Sequence, residues 1–106
     1  MKTIYIAGPI TGKPNFNWDA FYNAESELQD DNWLTVNPCT SALSRKLQQQ
    51  ETISKSDIKD VMLLDISLLA NCDAVYMLNG WKESKGACAE YTFAKAIGLQ
   101  ILMQGD

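Results

Sequence analysis

The sequence predicts an α/β fold, a small doubly wound parallel sheet of about four strands with flanking helices. Three observations carry that expectation. Short β-rich runs alternate with longer stretches of helical period, the pattern of strand–helix–strand crossovers. Turn signals at Gly8-Pro9, Asn37-Pro38, Asn79-Gly80 and Gly98 separate them. The 106 residues are 46% hydrophobic, enough for one domain with a real core and too few for two.

The elements follow in order. Thr3-Ile4-Tyr5-Ile6-Ala7 is β-rich and ends at Gly8-Pro9, so it reads as the first strand. A polar loop with Gly12 and Pro14 follows. From Asn17 to about Gln29, Phe21, Ala24 and Leu28 recur at helical spacing. Trp33-Leu34-Thr35-Val36 is the second strand, stopped by Asn37-Pro38. Residues 39–53 are polar and Gln-rich, with Leu43 and Leu47 spaced for one or two helical turns, and are expected to be the most mobile stretch. Ser54-Lys55-Ser56-Asp57 resembles a capping box that opens a helix to about Ala70. Asp73 to Leu78 is the third strand, and Asn79-Gly80-Trp81 begins a loop. Ser84 caps a helix that runs to Ile97 and stops at Gly98. Leu99 to Met103 is the last strand. The architecture is flavodoxin- or Rossmann-like, residues 1–106 forming a single domain.

Composition removes several functions. The formal net charge is −4 with no clustered Lys/Arg run, which argues against duplex nucleic acid or an anionic membrane as partner. No segment approaches membrane-spanning length. With no histidine, Ser-His and Cys-His catalysis and His-ligated metals are excluded. Cys39, Cys72 and Cys88 are odd in number and form no CxxC, so neither a disulfide framework nor a zinc site is suggested. Such thiols fit a reducing cytoplasm. The first residues read as a strand and not as a signal peptide.

Two carboxylates stand out. The one-turn neighbours of Glu90 are Gly86, Ala87, Phe93 and Ala94; those of Asp65 are Val61, Met62, Leu68 and Leu69. Both acids thus lie on apolar helical faces, where a charge costs stability unless something offsets it. Both belong to helices flanking the third strand, which brings them toward one cleft. Desolvation should raise the pKa of Asp65, and repulsion between the acids should couple them. A buried acid satisfied by a neighbouring donor is the purely structural alternative.

Ligands of open parallel sheets bind at the carboxyl ends of the strands. That edge gathers Gly8, Pro9, Ile10, Thr11 and Gly12, then Asn79, Gly80 and Trp81, then Ser84 and Gly86. Glycines let a backbone approach an anion or sugar closely, and a helix start offers amides to a phosphate. A plain turn and simple N-capping explain the first and last groups as well. Trp81 can stack on a nucleobase or cover the core.

Taken together, YIAGPITG, Asp65 followed by CDAVYML, and GW-x2-S-x-GA-x2-E resemble the nucleoside 2-deoxyribosyltransferase superfamily, closest to a short branch common in phages and prophages. The resemblance spans nearly the whole chain in order. It implies cleavage of the N-glycosidic bond between a base and a (deoxy)ribose, with Glu90 attacking C1′ and Asp65 helping to protonate the leaving base. It implies that Ser84, where the transferases carry an acid for the 5′-hydroxyl, contacts the phosphate of a nucleoside 5′-monophosphate. It also implies pockets near subunit interfaces, hence a homodimer or higher homo-oligomer. The expected partner is a small-molecule nucleotide or nucleoside, with no metal or organic cofactor required. The rival expectation is a non-catalytic protein that senses or sequesters a nucleotide.

Overall fold

The computed structural model describes residues 2–10, 14–40 and 55–105. Strand β1 is Thr3–Ala7, helix α1 Trp18–Asp30 and strand β2 Leu34–Val36. Helix α2 is Lys55–Ala70, strand β3 Ala74–Met77, helix α3 Lys85–Ile97 and strand β4 Gln100–Met103. Each expected element is present with its ends within a residue or so of the reading. The helical turns expected at Leu43 and Leu47, and the Ser54 cap of α2, lie outside the described residues.

All pairings are parallel, in the order β2-β1-β3-β4. The chain steps one way from β1 to β2 and the other way from β2 past β1 to β3 and on to β4. Right-handed crossovers place helices of opposite steps on opposite faces. So α1 covers one face, and α2 and α3 lie side by side on the other.

Strand alternation sorts the core accordingly. Ile4 and Ile6 point toward α1, where they pack with Phe21, Ala24 and Leu28. Tyr5, Ala7, Val75 and Met77 point to the other face and pack with Leu69 of α2 and Ala87 and Ala94 of α3. Trp33 and Trp81, large rings that would otherwise need cover, pack against these two clusters. The large apolar side chains left exposed include Leu34, Ile58, Leu63 and Ile97.

Local chemistry sets the ends of the helices. A 3-10 turn, Pro14–Asn17, leads into α1, and the Asn17 side chain donates to the Pro9 carbonyl at 2.9 Å. That bond ties the loop after β1 to the start of α1. Helix α3 stops at Gly98, whose φ of 82° suits glycine and whose N–H reaches the Ala94 and Lys95 carbonyls. No helix among the described residues is long and apolar enough to cross a membrane.

Gly8 is explained by packing. A Cβ there would lie 2.8 Å from both Cβ and Cδ1 of Leu78, which is itself buried. Gly8→Ala is expected to destabilise the protein by about 1–3 kcal/mol through overpacking. Chemical denaturation checks it, and unchanged stability would refute it.

Candidate active site

Both expected acids are buried, Asp65 and Glu90 each only 5% exposed. Their proximity follows from the topology. Helices α2 and α3 both return from the carboxyl edge of the sheet toward its amino edge, so they run alongside one another. They touch where Gly86 faces Met62; a Cβ on Gly86 would stand 3.3 Å from the Met62 sulfur. Asp65 lies one turn beyond Met62, and Glu90 one turn beyond Gly86. The absent side chain of Gly86 leaves room for the Met62 sulfur where the two helices meet.

A third group joins them. Tyr5 is completely buried in the middle of β1, and its hydroxyl lies beside Glu90. The approach falls short of ordinary hydrogen-bond geometry: Tyr5 Oη, Asp65 Oδ1 and Glu90 Oε2 are buried without a hydrogen-bond partner among the described residues. Native proteins leave few such atoms unpartnered, so three together, with the charge of Asp65 acting on both Tyr5 and Glu90, need a reason.

Electrostatics agree with the burial. Desolvation pushes the Asp65 carboxyl up to about 7. Desolvation pushes Glu90 up to about 8, opposed by the Tyr5 hydroxyl and reinforced by the charge of Asp65. Tyr5 is raised well above its ordinary value by burial and then by the two acids. The expected rise at Asp65 is present. Glu90 is raised as well, by the same burial.

The residues at the strand ends divide. Gly8 packs on Leu78, and Pro9 lies against Gly80, where an added Cβ would meet Pro9 Cγ at 3.6 Å. The loops after β1 and β3 thus adjoin where the strand order reverses, the usual place for a ligand in an open parallel sheet. Ile10 packs against the α1-side core, and Thr11 and Gly12 lie outside the described residues. The Asn79 N–H donates to the Gln104 side chain at 2.8 Å. Gly80 has φ 85° and opens a 3-10 turn, Trp81–Glu83.

Ser84 Oγ accepts from the Ala87 N–H at 3.2 Å, so it does cap α3. That bond uses an oxygen lone pair and leaves the hydroxyl hydrogen available as a donor. Trp81 stacks on Tyr91, with ring centroids 4.6 Å apart, so one face of the indole is occupied from within the protein.

The model of a family described as a domain of unknown function, DUF4406, matches residues 2–103. The chain belongs to this family. A search of curated proteins gives no match. Within this DUF4406 domain, Tyr5 is the site residue that sequence reasoning missed. Its signal was a lone hydroxyl in an otherwise apolar strand, and tyrosine is too ordinary in strands for that to stand out. No cluster of three or more His, Cys, Asp and Glu suited to a metal occurs among the described residues.

The raised pKa values make stability depend on pH. Unfolded, the two carboxyls titrate near about 4; folded, they titrate near 7 and 8. Between these limits the folded chain binds more protons, so its stability falls as pH rises. Stability from these groups is complete below about 4 and is lost through about 8. Glu90→Gln is expected to flatten that decline, measured as Tm from pH 4.5 to 8.5. An unchanged slope would show that the acid is not desolvated.

Proposed function

We propose that this domain is a nucleotide N-glycosidase that cleaves the base–sugar bond of nucleoside 5′-monophosphates or transfers the (deoxy)ribosyl group. One observation carries the reading: two acids buried in apolar surroundings on adjacent helices, with Tyr5 beside them and one oxygen of each left without a hydrogen-bond partner among the described residues. The motif resemblance to the nucleoside 2-deoxyribosyltransferase superfamily supports it independently, since Glu90, Asp65 and Ser84 fall on that pattern.

The pair works when it holds one proton. Transfer of the Glu90 proton to Asp65 leaves Glu90 as carboxylate and Asp65 as acid. A Glu90 oxygen bonds to C1′ as the C1′–N bond breaks, and Asp65 protonates the departing base. Water then attacks C1′ of the glycosyl ester, Asp65 takes its proton, and Glu90 leaves as carboxylate. A second base replacing the water gives transfer. The Tyr5 hydroxyl opposes the rise in the Glu90 pKa and so favours the attacking form. The Ser84 hydroxyl and the first amides of α3 suit the 5′-phosphate.

Incubation with nucleosides and their monophosphates, read by chromatography for released base, tests the proposal. Glu90→Ala should abolish release while leaving the fold intact, because removing a desolvated carboxylate is neutral or stabilising. The wild-type rate should be bell-shaped in pH, with limbs near the apparent values of the pair, about 7 and about 8. Full activity in Glu90→Ala, or no release from any substrate, would reject the assignment.

Ser84→Asp should reverse or erase a preference for monophosphates by setting a charge against the phosphate. Equal wild-type kcat/KM on monophosphates and free nucleosides would overturn the role of Ser84.

A further inference from the structure

The helix that carries Glu90 has a second working face. Beside the buried stripe of Ala87, Glu90 and Ala94 runs another, Cys88, Tyr91 and Lys95, spaced three and four residues apart. Its contacts lie with the turn that precedes the helix. The Tyr91 ring stacks on Trp81, centroids 4.6 Å apart and planes 29° from parallel. Lys95 Nζ lies 5.9 Å from the Tyr91 ring and Lys82 Nζ 5.8 Å from the Trp81 ring, so cations flank the stack.

Cys88 closes the same turn from below. Its thiol points to the Lys82 carbonyl at 3.4 Å and the Trp81 carbonyl at 3.6 Å. The Trp81 carbonyl also accepts the Ser84 N–H at 3.0 Å, and the Ser84 carbonyl accepts the Cys88 N–H at 2.9 Å. Ser84 is therefore held between two groups that α3 itself restrains. At the other end the turn is anchored just past β3, where the Trp81 N–H donates to the Leu78 carbonyl at 3.2 Å.

We infer that Tyr91, seconded by Cys88, is a positioning residue: it clamps the Trp81–Glu83 turn onto α3 and thereby sets where the Ser84 hydroxyl stands relative to Glu90. What Ser84 binds rests on the nucleotide reading above; the clamp itself does not. Trp81 then serves as the far jaw of the clamp, its ring occupied by Tyr91, and the phosphate end of the substrate is registered against the attacking carboxylate through one rigid helix. The six-residue step from Ser84 to Glu90 is a fixed spacer only while the turn stays seated.

The test compares Tyr91→Ala, which removes the stacking ring, with Tyr91→Phe, which keeps it. For a nucleoside 5′-monophosphate, Tyr91→Ala should raise KM about tenfold, the worth of an aromatic pair at the upper end of its range. Its kcat, and KM for the free nucleoside, should stay at the wild-type value, and Tyr91→Phe should restore the monophosphate KM. Hydrogen exchange supplies a second readout that needs no activity. In Tyr91→Ala the Ala87 and Cys88 amides, both bonded to Ser84, should exchange about tenfold faster, by the same conversion. Ala94, deeper in the helix, should be unchanged. Equal loss on both substrates, or unchanged exchange at Ala87 and Cys88, overturns the inference. If the wild type acts on neither substrate, the nucleotide reading fails and the exchange result alone decides the clamp. If Tyr91→Ala does not fold, Cys88→Ala is measured in the same two ways.

Discussion

The handedness of the crossovers is the constraint on which everything else in this domain depends. In a sheet ordered β2-β1-β3-β4, the steps to β3 and to β4 run the same way, so right-handed connections put α2 and α3 on one face. Had the step to β4 run back against the step to β3, Asp65 and Glu90 would lie on opposite sides of the sheet. Their apolar neighbours would then have made each an isolated liability. Side by side, they become a coupled pair over the middle of β1, where Tyr5 faces them.

That pair is held against the ordinary preference of the fold. A desolvated carboxylate costs several kcal/mol, and proteins usually escape the cost by pairing the charge or by protonating it. No cation is paired with either acid among the described residues, and burial pushes both carboxyls up, toward the protonated form. Hydrophobic side chains at these positions would have stabilised the helices more cheaply. The close approach of α2 and α3 at Met62 and Gly86 belongs to the same arrangement, since a side chain at position 86 would press on the Met62 sulfur. Stability given up at one spot, with the surrounding packing kept tight, is the pattern of a site retained for chemistry.

The strand ends show how packing and site construction share residues. Gly8 and Gly80 lie in the loops where a ligand is expected, yet each also meets a protein neighbour, Leu78 and Pro9 respectively. Ser84 caps its helix and still has a hydroxyl hydrogen to offer. Trp81 leans on Tyr91 and so seats the turn ahead of Ser84. In each case the structural role leaves the proposed one open and supplies the rigidity that it would require.

The sequence by itself determined the element order, most element ends and the two acids. These are local properties: Phe21, Ala24 and Leu28 show their period within one helix, and the oddity of Glu90 is visible from residues one turn away. Only the tertiary structure decided which groups meet. Tyr5 and Glu90 are 85 residues apart, and no local pattern says that a strand hydroxyl will lie under a helical acid. The upward shift of both carboxyls is likewise a matter of burial, which the packing of α2 and α3 on the sheet creates. The partnership of Trp81 with Tyr91 was hidden for the same reason. A ring suited to stacking on a base is equally suited to stacking on another ring, and only the seating of the turn on α3 chooses between them.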